Sequence, residues 1–425
     1  MKQSWIQSWI NVFKHWAWLI LAICFVDLFI NYSVRLGYSV VLPEIIRDLN
    51  INRTASGSIY NAYFISYISL TPLMGYLTDR VGGRPVITAC SLMLGLGALL
   101  MGTVHDLTTA CLFYAITGLG AAGLWTPIIT VIQRWFVPHR RGLALGVINI
   151  GPGLGFATIG VLFPWIVSHY TWRYSWYFLG VAALVMVILN GLLLRSDPLK
   201  MGIRPWGEKE RSQPHTIEQT GVCSETFYQI LKYSRFWFIG LSYLSISYSL
   251  YGLTTFMIDY AVYELGIPLG TASFLATVHG ICQTVGVLTI LPLSDYLGRK
   301  RTITISNTLI TVSLVGILLY GSNFSALLMF VGFLALFFGA TFPLYGACAG
   351  DYFPEKLIGT VAGAWTPLYG IGAISSHWVN GFLRDTTGSY QYGFVINLFL
   401  AVSSIVFISF AKLQGQFKAY YQKFL

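Results

Sequence analysis

Three polar residues, Asp27, Asn31 and Arg35, follow one another at intervals of four in a stretch that is otherwise almost entirely apolar. In an α-helix this spacing places them on one stripe, which Tyr38 extends. The guanidinium of Arg35 offers two parallel donors to a carboxylate, and a buried aspartate can take up or release a proton. The stripe therefore predicts a site in which Arg35, Asn31 and Tyr38 bind an anion and Asp27 couples its movement to protons. A structural ion pair between Asp27 and Arg35, bridged by Asn31, is the alternative.

A second group of candidate binding residues lies in later apolar stretches of the chain. His279, four residues before Gln283, can hydrogen-bond a carboxylate or carry a proton, so we assign it both a binding and a proton-coupling role. Three tyrosines, Tyr248, Tyr251 and Tyr345, offer hydroxyl groups to the same solute. The alternatives are a buried histidine with a structural role and tyrosines that serve only packing.

The sequence lacks the motifs of common enzyme classes. No lysine is followed by Ser or Thr, which excludes the phosphate-binding loop of an ATPase, and the metal-binding pattern HExxH does not occur. The six cysteines are far apart and indicate neither a disulfide framework nor a metal-binding pair. We therefore predict that the protein is not an enzyme and uses no metal or other cofactor.

The composition indicates that the solvent around these residues is mostly lipid. Apolar residues make up 55% of the 425 positions and charged residues only 10%, whereas about 25% of an average soluble domain is charged. Apolar stretches long enough to cross a bilayer, which takes about 20 residues, predict an all-α membrane protein with twelve transmembrane helices. The predicted spans are residues 16–43, 56–78, 86–104, 107–133, 142–168, 174–194, 236–262, 270–293, 302–320, 325–350, 358–382 and 390–411.

The two halves of the chain carry the same landmarks at one offset. Asp79, in GYLTDRVGGR, and Asp295, in LPLSDYLGRKR, differ by 216 positions, as do Pro127 and Pro343. A parallel repeat of this kind relates two bundles by an axis along the membrane normal. The chain is therefore predicted to form two pseudo-symmetric six-helix bundles, over residues 1–195 and 236–425, joined by a polar cytoplasmic linker over residues 196–235.

Basic residues set the predicted orientation, because cytoplasmic loops collect Lys and Arg. With the N-terminus inside, all but five of the 26 Lys and Arg fall on the cytoplasmic side. The five exceptions are Arg35, Arg47, Arg53, Arg173 and Arg384. We therefore expect both termini to be cytoplasmic in a multi-pass protein of the cell (inner) membrane. The net charge of +10 then faces the lipid surface and requires no nucleic-acid partner.

The fifth span holds a cluster of helix-perturbing residues, Gly146, Gly151, Pro152 and Gly155. Glycine has no side chain to keep a neighbouring backbone away, and proline bends a helix. The cluster predicts that this span bends or approaches another helix closely.

The loop between spans two and three carries the pattern GxLxDRxGxR, which has a second, partial copy between spans eight and nine. The pattern is met by Gly75, Leu77, Asp79, Arg80, Gly82 and Arg84, and it is partly repeated by Asp295, Gly298 and Arg299. In carrying this pattern, the whole chain resembles the major facilitator superfamily. The resemblance implies a carrier that works by alternating access. It also implies that Asp79 accepts hydrogen bonds at the start of a neighbouring helix, or from Arg134 or Arg140, and so closes the cytoplasmic side. The gating residues that follow from it are Gly75, Asp79, Arg80, Arg84, Arg134, Arg140, Asp295 and Arg299.

Further segments are similar to two groups within this superfamily. RWFVPHRRGLALG and DPLKMGIRPWG resemble the monocarboxylate and oxalate/formate-type carriers, and NYSVRLGYSVVLPEI is similar to the anion:cation symporters. Both groups move organic anions. The chain departs from the monocarboxylate carriers in having no arginine in span eight, where His279 is the one charge-capable residue.

The leading hypothesis is proton-coupled symport of a small, monocarboxylate-like organic anion by a monomeric carrier. Its partners would be the anion, a proton or another coupling ion, and the lipid bilayer. One alternative is proton-coupled efflux of an amphipathic or cationic compound, with Asp27 as the partner of the cation. Another is a sensor that binds its ligand without transporting it.

Overall fold

A computed structural model describes residues 2–207, 231–353 and 358–411 of the chain. Within these ranges the chain is helical, and an isolated backbone bridge between Phe136 and Trp206 is the sole β-type pairing of the described residues. Most of the predicted linker, and Cys223 within it, lies outside the described residues.

Seven α-helices form the N-terminal half of the described chain, followed by one 3₁₀ turn. They are α1 (Lys2–Leu49), α2 (Arg53–Val81), α3 (Gly83–Met101), α4 (Leu107–Ala122), α5 (Trp125–Trp135), α6 (Pro138–His169) and α7 (Trp172–Leu193), and the 3₁₀ turn is Leu199–Met201.

Seven further α-helices form the C-terminal half. They are α8 (Ser234–Tyr263), α9 (Leu269–Ala272), α10 (Phe274–Leu297), α11 (Arg299–Tyr320), α12 (Phe324–Tyr352), α13 (Ile358–Thr387) and α14 (Gln391–Phe410).

Each of the twelve predicted spans coincides with helix, which confirms an all-α, multi-pass membrane fold. Nine stretches of the described chain are long and apolar enough to cross a membrane. The other three spans, α2, α8 and α13, have 29 or 30 residues, which at 1.5 Å per residue is about 45 Å of helix and also enough to cross. They are less apolar because they carry many hydroxyl, amide and charged side chains.

Two predicted spans are interrupted. The fourth consists of α4 and α5, which meet at Gly123, where the backbone N–H bonds to the carbonyl of Gly120 in a tight turn. The eighth consists of the short α9 and the long α10, which meet at Ser273. The glycine accounts for the first break, because glycine loses more backbone entropy on ordering than other residues and so weakens a helix interior.

The two repeated loops adopt the same backbone conformation. Gly82, between α2 and α3, has φ 95°, and Gly298, between α10 and α11, has φ 85°. A left-handed φ of this kind favours glycine because a Cβ would collide with the backbone. These glycines lie 216 positions apart, so the offset read from the sequence also relates their geometry.

Asp106 starts α4 from the loop outside the membrane-spanning helices. Its carboxylate accepts hydrogen bonds from the backbone N–H of Thr109 at 2.9 Å and from the Thr109 hydroxyl at 2.9 Å. These hydrogen bonds, that from the backbone first, lower the pKa of Asp106. The carboxylate therefore satisfies one of the N–H groups that a helix leaves unpaired at its first turn.

Contacts divide the chain into two compact units. The first comprises residues 1–37 and 62–217, and the second comprises residues 38–61 and 218–425. In the first unit α3 packs against α4 and α7. In the second, α11 packs against α12 and α14, so the third span of each repeat contacts the fourth and sixth. Residues 38–61, at the end of α1 and the start of α2, belong to the second unit.

Candidate functional site

Arg35 lies inside the first unit with only 4% of its surface exposed. Its guanidinium carbon lies 4.6 Å from the centroid of the Phe64 ring, 5.4 Å from that of Tyr67 and 5.5 Å from that of Tyr32. Aromatic faces attract a cation through their quadrupole and leave the guanidinium edge, where the N–H donors lie, to other groups. The hydroxyl of Tyr114 approaches the backbone carbonyl of Arg35 at 3.1 Å and fixes α1 at this level.

Asp27 faces α3 and α7. The side-chain amide of Asn190 donates to one carboxylate oxygen at 2.9 Å and lies 3.2 Å from the hydroxyl of Ser91. The second carboxylate oxygen is buried and has no hydrogen-bond partner among the described residues. Asp27 is 2% exposed and makes no direct ion pair within the described residues. Asn31, one turn away on the same stripe, is also buried.

Tyr38 belongs to the second unit, although it continues the stripe on α1. Its hydroxyl donates to the backbone carbonyl of Ser56 at 2.7 Å, and its ring lies 5.1 Å from that of Tyr60. The ring of Tyr60 in turn stacks on that of His377 at 4.6 Å. Tyr38 therefore fixes the turn between α1 and α2.

His279, Tyr248 and Tyr251 are buried in the second unit. One ring nitrogen of His279 lies 3.4 Å from the hydroxyl of Thr254. The Tyr251 hydroxyl accepts from that of Tyr369 at 3.4 Å. By contrast, the Tyr248 hydroxyl makes no hydrogen bond with any residue that the structure describes.

Tyr345 is the centre of a buried hydrogen-bond network between α8, α11 and α12. Its hydroxyl lies 2.7 Å from that of Ser242 and accepts from the amide of Asn307 at 3.0 Å. The Tyr345 ring also stacks on Tyr243 with centroids 4.4 Å apart. These contacts give Tyr345 a packing role beside the predicted binding role.

The predicted gating residues of the first repeat contact several different partners. Asp79 is exposed and makes no hydrogen bond or ion pair with another residue in the described ranges, Arg134 and Arg140 included. Arg80 lies over the Tyr76 ring at 4.9 Å, and Arg140 lies over the Trp206 ring at 5.4 Å.

The remaining gating residues make contacts close to their own loops. The guanidinium of Arg84 donates to the Gly191 carbonyl, and its backbone N–H donates to the Ser196 hydroxyl at 2.8 Å. Gly75 faces Thr126, and Arg134 lies in the last turn of α5. In the second repeat, Arg299 and Asp295 form an ion pair at 2.5 Å. The gating assignments stay predictions.

A cluster that we did not predict lies in the second unit around Asp259. This aspartate is fully buried near the end of α8 and pairs with Arg53 at 3.1 Å, and the hydroxyl of Tyr390 donates to it at 2.6 Å. Arg384 and Glu264 form an ion pair at 2.9 Å in the same unit. An acidic residue inside the predicted seventh span was the signal in the sequence, because a charge in hydrocarbon requires a partner or a function.

Two buried ionisable side chains, Asp27 and Arg35, lie on α1 in the first unit. Within the described residues, no group of three His, Cys, Asp or Glu side chains could hold a metal ion. What the first unit provides is a buried guanidinium over aromatic rings and, two turns away on α1, a buried carboxylate held by amide and hydroxyl groups.

Comparison with known proteins identifies relatives along the whole chain. The sequence profile described as Major Facilitator Superfamily matches residues 21–263 and 239–417. A hexuronate transporter of Bacillus subtilis (strain 168) is 25% identical over 401 residues, covering 90% of this chain and 92% of that protein. Monocarboxylate transporter 12 of Xenopus laevis is 22% identical over 419 residues, covering 95% and 90%. A solved bacterial homolog of the human lysosomal transporter Spinster has a TM-score of 0.71 at 14% identity, covering 93% and 95%, and shares the fold.

Proposed function

Because the chain belongs to the Major Facilitator Superfamily, and is a multi-pass membrane transporter rather than an enzyme, we propose that it carries a small organic anion in symport with a proton. The proposal places the carboxylate of the cargo on Arg35 and the proton on Asp27. The relatives named above transport a hexuronate and a monocarboxylate, and both cargoes carry a carboxylate. That shared group supports an anion as the cargo of this chain.

The observation that carries the proposal is the environment of Arg35. A buried guanidinium over three aromatic rings keeps its charge, because arginine is not deprotonated in proteins. A charge in a membrane-spanning helix is costly and marks a pathway for ions or substrates. A planar guanidinium also suits a carboxylate better than a point charge does, because it can donate two parallel hydrogen bonds.

The environment of Asp27 supports the proton. Its hydrogen-bond partners are the amide of Asn190 and the hydroxyl of Ser91 rather than a cation, so a bound proton neutralises the carboxyl without breaking an ion pair. Neutralisation of the binding site by anion and proton together lowers the cost of moving the helices through the cycle. Tyr248, in the second unit, supports the same cargo because its buried hydroxyl has hydrogen-bonding capacity that no described residue uses.

The test is uptake of labelled glucuronate and lactate into proteoliposomes under an imposed pH gradient. Substituting Arg35→Ala or Arg35→Lys should lower uptake about ten- to hundredfold, since a hydrogen bond to a charged group contributes about 1.5–3 kcal/mol. Arg47→Ala is the matched control, because Arg47 lies on the same helix but has 70% of its side chain exposed and pairs with Glu44.

Three results separate the alternatives. Loss of uptake in the Arg35 variants with normal uptake in Arg47→Ala supports the anion carrier. Equal uptake by all variants contradicts it. Resistance of cells to cationic compounds on expression, abolished by Asp27→Asn, would favour efflux, and binding of a carboxylate without any flux would favour a sensor.

A further inference from the structure

Residues 38–61, which we call the anchored segment, are bound to helices of the C-terminal half within the second unit. The Nε of Arg53 donates to Asp259 at 3.1 Å, and its guanidinium carbon lies 4.6 Å from the centroid of the Tyr263 ring. Asp385 accepts from the backbone N–H groups of Arg53 and Thr54 at 2.9 Å and 2.8 Å. A carboxylate from α13 thus binds the positive end of α2.

The attachment continues along one face of α2. The indole N–H of Trp378 donates to the Ser58 hydroxyl at 2.9 Å. The amide of Asn61 donates to the carbonyl of Ile374 at 3.0 Å, and its oxygen lies 2.7 Å from Nδ1 of His377. Positions 54, 58 and 61 have the spacing of a helical stripe, so α2 presents one polar face to α13.

Asp259 is the one anchoring carboxylate that is fully buried. Arg53 and the Tyr390 hydroxyl both bind the same carboxylate oxygen, while the other oxygen makes no hydrogen bond within the described residues. The charged and titratable groups that interact with Asp259 are Arg53 from α2, Arg384 from α13, Tyr390 from the start of α14 and Tyr263 from the end of α8. Two further carboxylates bind these partners: Asp385 accepts from the backbone N–H of Arg53, and Glu264 pairs with Arg384. Arg384 pairs with Glu264 at 2.9 Å, which leaves Arg53 as the direct cationic partner.

We propose that Asp259 is a second proton-binding site, at which a proton and Arg53 compete for one carboxylate, so that protonation releases the anchored segment. The proposal rests on the proposed function, because release of this segment is a step of an alternating-access cycle. If Arg53 leaves, a buried carboxylate loses its cationic partner and binds a proton more readily. By reciprocity, a proton bound to Asp259 weakens the hold on Arg53 by the same free energy.

Because a proton competes with Arg53 for Asp259, a lower pH should favour release of the anchored segment. In the orientation predicted from the basic residues, the anchored segment lies at the extracellular face. A more acidic exterior then favours the released segment, and a proton enters the carrier as the segment detaches. The Asp259 site would thus link opening on that side to the supply of protons there.

Hydrogen–deuterium exchange of the full-length protein in lipid nanodiscs tests the proposal without any cargo. Asp259→Asn imitates the protonated side chain and should speed exchange in the anchored segment roughly tenfold or more at about pH 7. Glu264→Gln is the matched control, since it breaks an ion pair at the same end of α8 and leaves Arg53 and Asp259 intact. It should exchange in the anchored segment at the rate of the unmodified protein.

The pH dependence distinguishes competition from simple loosening. At about pH 5, the unmodified protein should approach the exchange of Asp259→Asn, after normalisation to peptides of α11. Exchange of Asp259→Asn at the unmodified rate, a ratio between the two that does not change with pH, or equally fast exchange in Glu264→Gln would each overturn the proposal.

A second variant keeps the test decisive if Asp259→Asn does not fold. Arg53→Gln removes the same ion pair from the other side and should release the segment at both pH values, whereas an anchored segment in this variant would contradict the proposal. Hydrogen–deuterium exchange needs no transported solute, so the two proposals fail independently. A normal flux through Arg35→Ala would overturn the anion assignment, whereas only the exchange measurements decide the role of Asp259.

Discussion

The amide of Asn190 holds the carboxylate of Asp27 at 2.9 Å and joins it to Ser91, so that α1, α3 and α7 meet at one buried acid. The residues that bind Asp27 are neutral. An acid in such a place can accept a proton without losing an ionic partner, and it can do so while Arg35, two turns along the same helix, keeps its charge. In the proposed function, the proton and the anion therefore bind separate residues on one helix.

Asp27→Asn should separate coupling from binding. The substitution keeps size and hydrogen bonding but cannot gain or lose a proton, so uphill accumulation driven by a pH gradient should disappear. Exchange of labelled for unlabelled carboxylate across the membrane, which needs no net proton movement, should persist. Proteoliposome accumulation and counterflow assays measure the two quantities.

The control for this prediction is Arg47→Ala, because Arg47 lies on the same helix but has 70% of its side chain exposed. It should retain both accumulation and exchange. Accumulation by Asp27→Asn at the level of the unmodified protein would exclude Asp27 as the coupling residue.

The rings around Arg35 should influence affinity for the cargo. Phe64 lies 4.6 Å from the guanidinium carbon, and a cation–π contact is worth about 0.5–2 kcal/mol. Phe64→Leu, which retains most of the apolar volume, should therefore raise the KM for carboxylate uptake about two- to thirtyfold, which is less than the loss expected from Arg35→Ala.

Phe178→Leu is the appropriate comparison, because Phe178 on α7 in the same unit is half exposed. Its KM should match that of the unmodified protein. If Phe64→Leu and Phe178→Leu give the same KM, the rings do not position the guanidinium for binding.

Two buried tyrosines of α8 and α12 should respond differently to the loss of a hydroxyl. Tyr345→Phe leaves the Asn307 amide without its acceptor, which costs about 1–3 kcal/mol and should lower the melting temperature by several degrees. The Tyr248 hydroxyl makes no hydrogen bond within the described chain, so Tyr248→Phe should have the melting temperature of the unmodified protein.

The same pair separates binding from packing in a transport assay. If Tyr248 contacts the cargo, Tyr248→Phe raises KM at unchanged stability. An unchanged KM in Tyr248→Phe would contradict a binding role for Tyr248. An unchanged melting temperature in Tyr345→Phe would contradict a packing role for Tyr345.

The fold could be predicted from the sequence because hydropathy and the repeat offset act over whole helices. Twenty apolar residues in lipid must form a helix to satisfy their backbone, and the loops at Gly82 and Gly298 repeat in both sequence and φ. The breaks in spans four and eight were not predicted, because a helix interruption at Gly123 or Ser273 leaves the hydropathy of the surrounding stretch unchanged.

The candidate site was harder to predict because a helical stripe fixes a face but not the neighbour that the face meets. Asp27 and Arg35 share a stripe on α1, yet the first faces Asn190 and the second faces Phe64. The pairing of Arg53 with Asp259 joins positions 206 apart in the chain. An apolar pattern carries no information about such a contact, and the isolated acid in span seven was not used for a prediction, although a charge in hydrocarbon requires a partner or a function.

The glycines of α6 supply a prediction with an internal control. A Cβ on Gly155 would lie 2.7 Å from the Phe29 carbonyl oxygen and 2.8 Å from the Ser33 hydroxyl, whereas a Cβ on Gly146 would meet nothing within 4 Å. Gly155→Ala should therefore push α6 away from α1 at the level of Asn31, with a cost of about 1–3 kcal/mol for overpacking.

Displacement of α1 at this level would alter the positions of Asp27 and Arg35 together, so Gly155→Ala should lower both the melting temperature and carboxylate uptake. Gly146→Ala should leave uptake unchanged, and by removing a glycine from a helix interior it should stabilise the protein by about 0.5–1 kcal/mol, so its melting temperature should not fall. Thermal unfolding in detergent and proteoliposome uptake measure the two effects. Equal behaviour of the two variants would show that close approach of α6 to α1 is not required for transport.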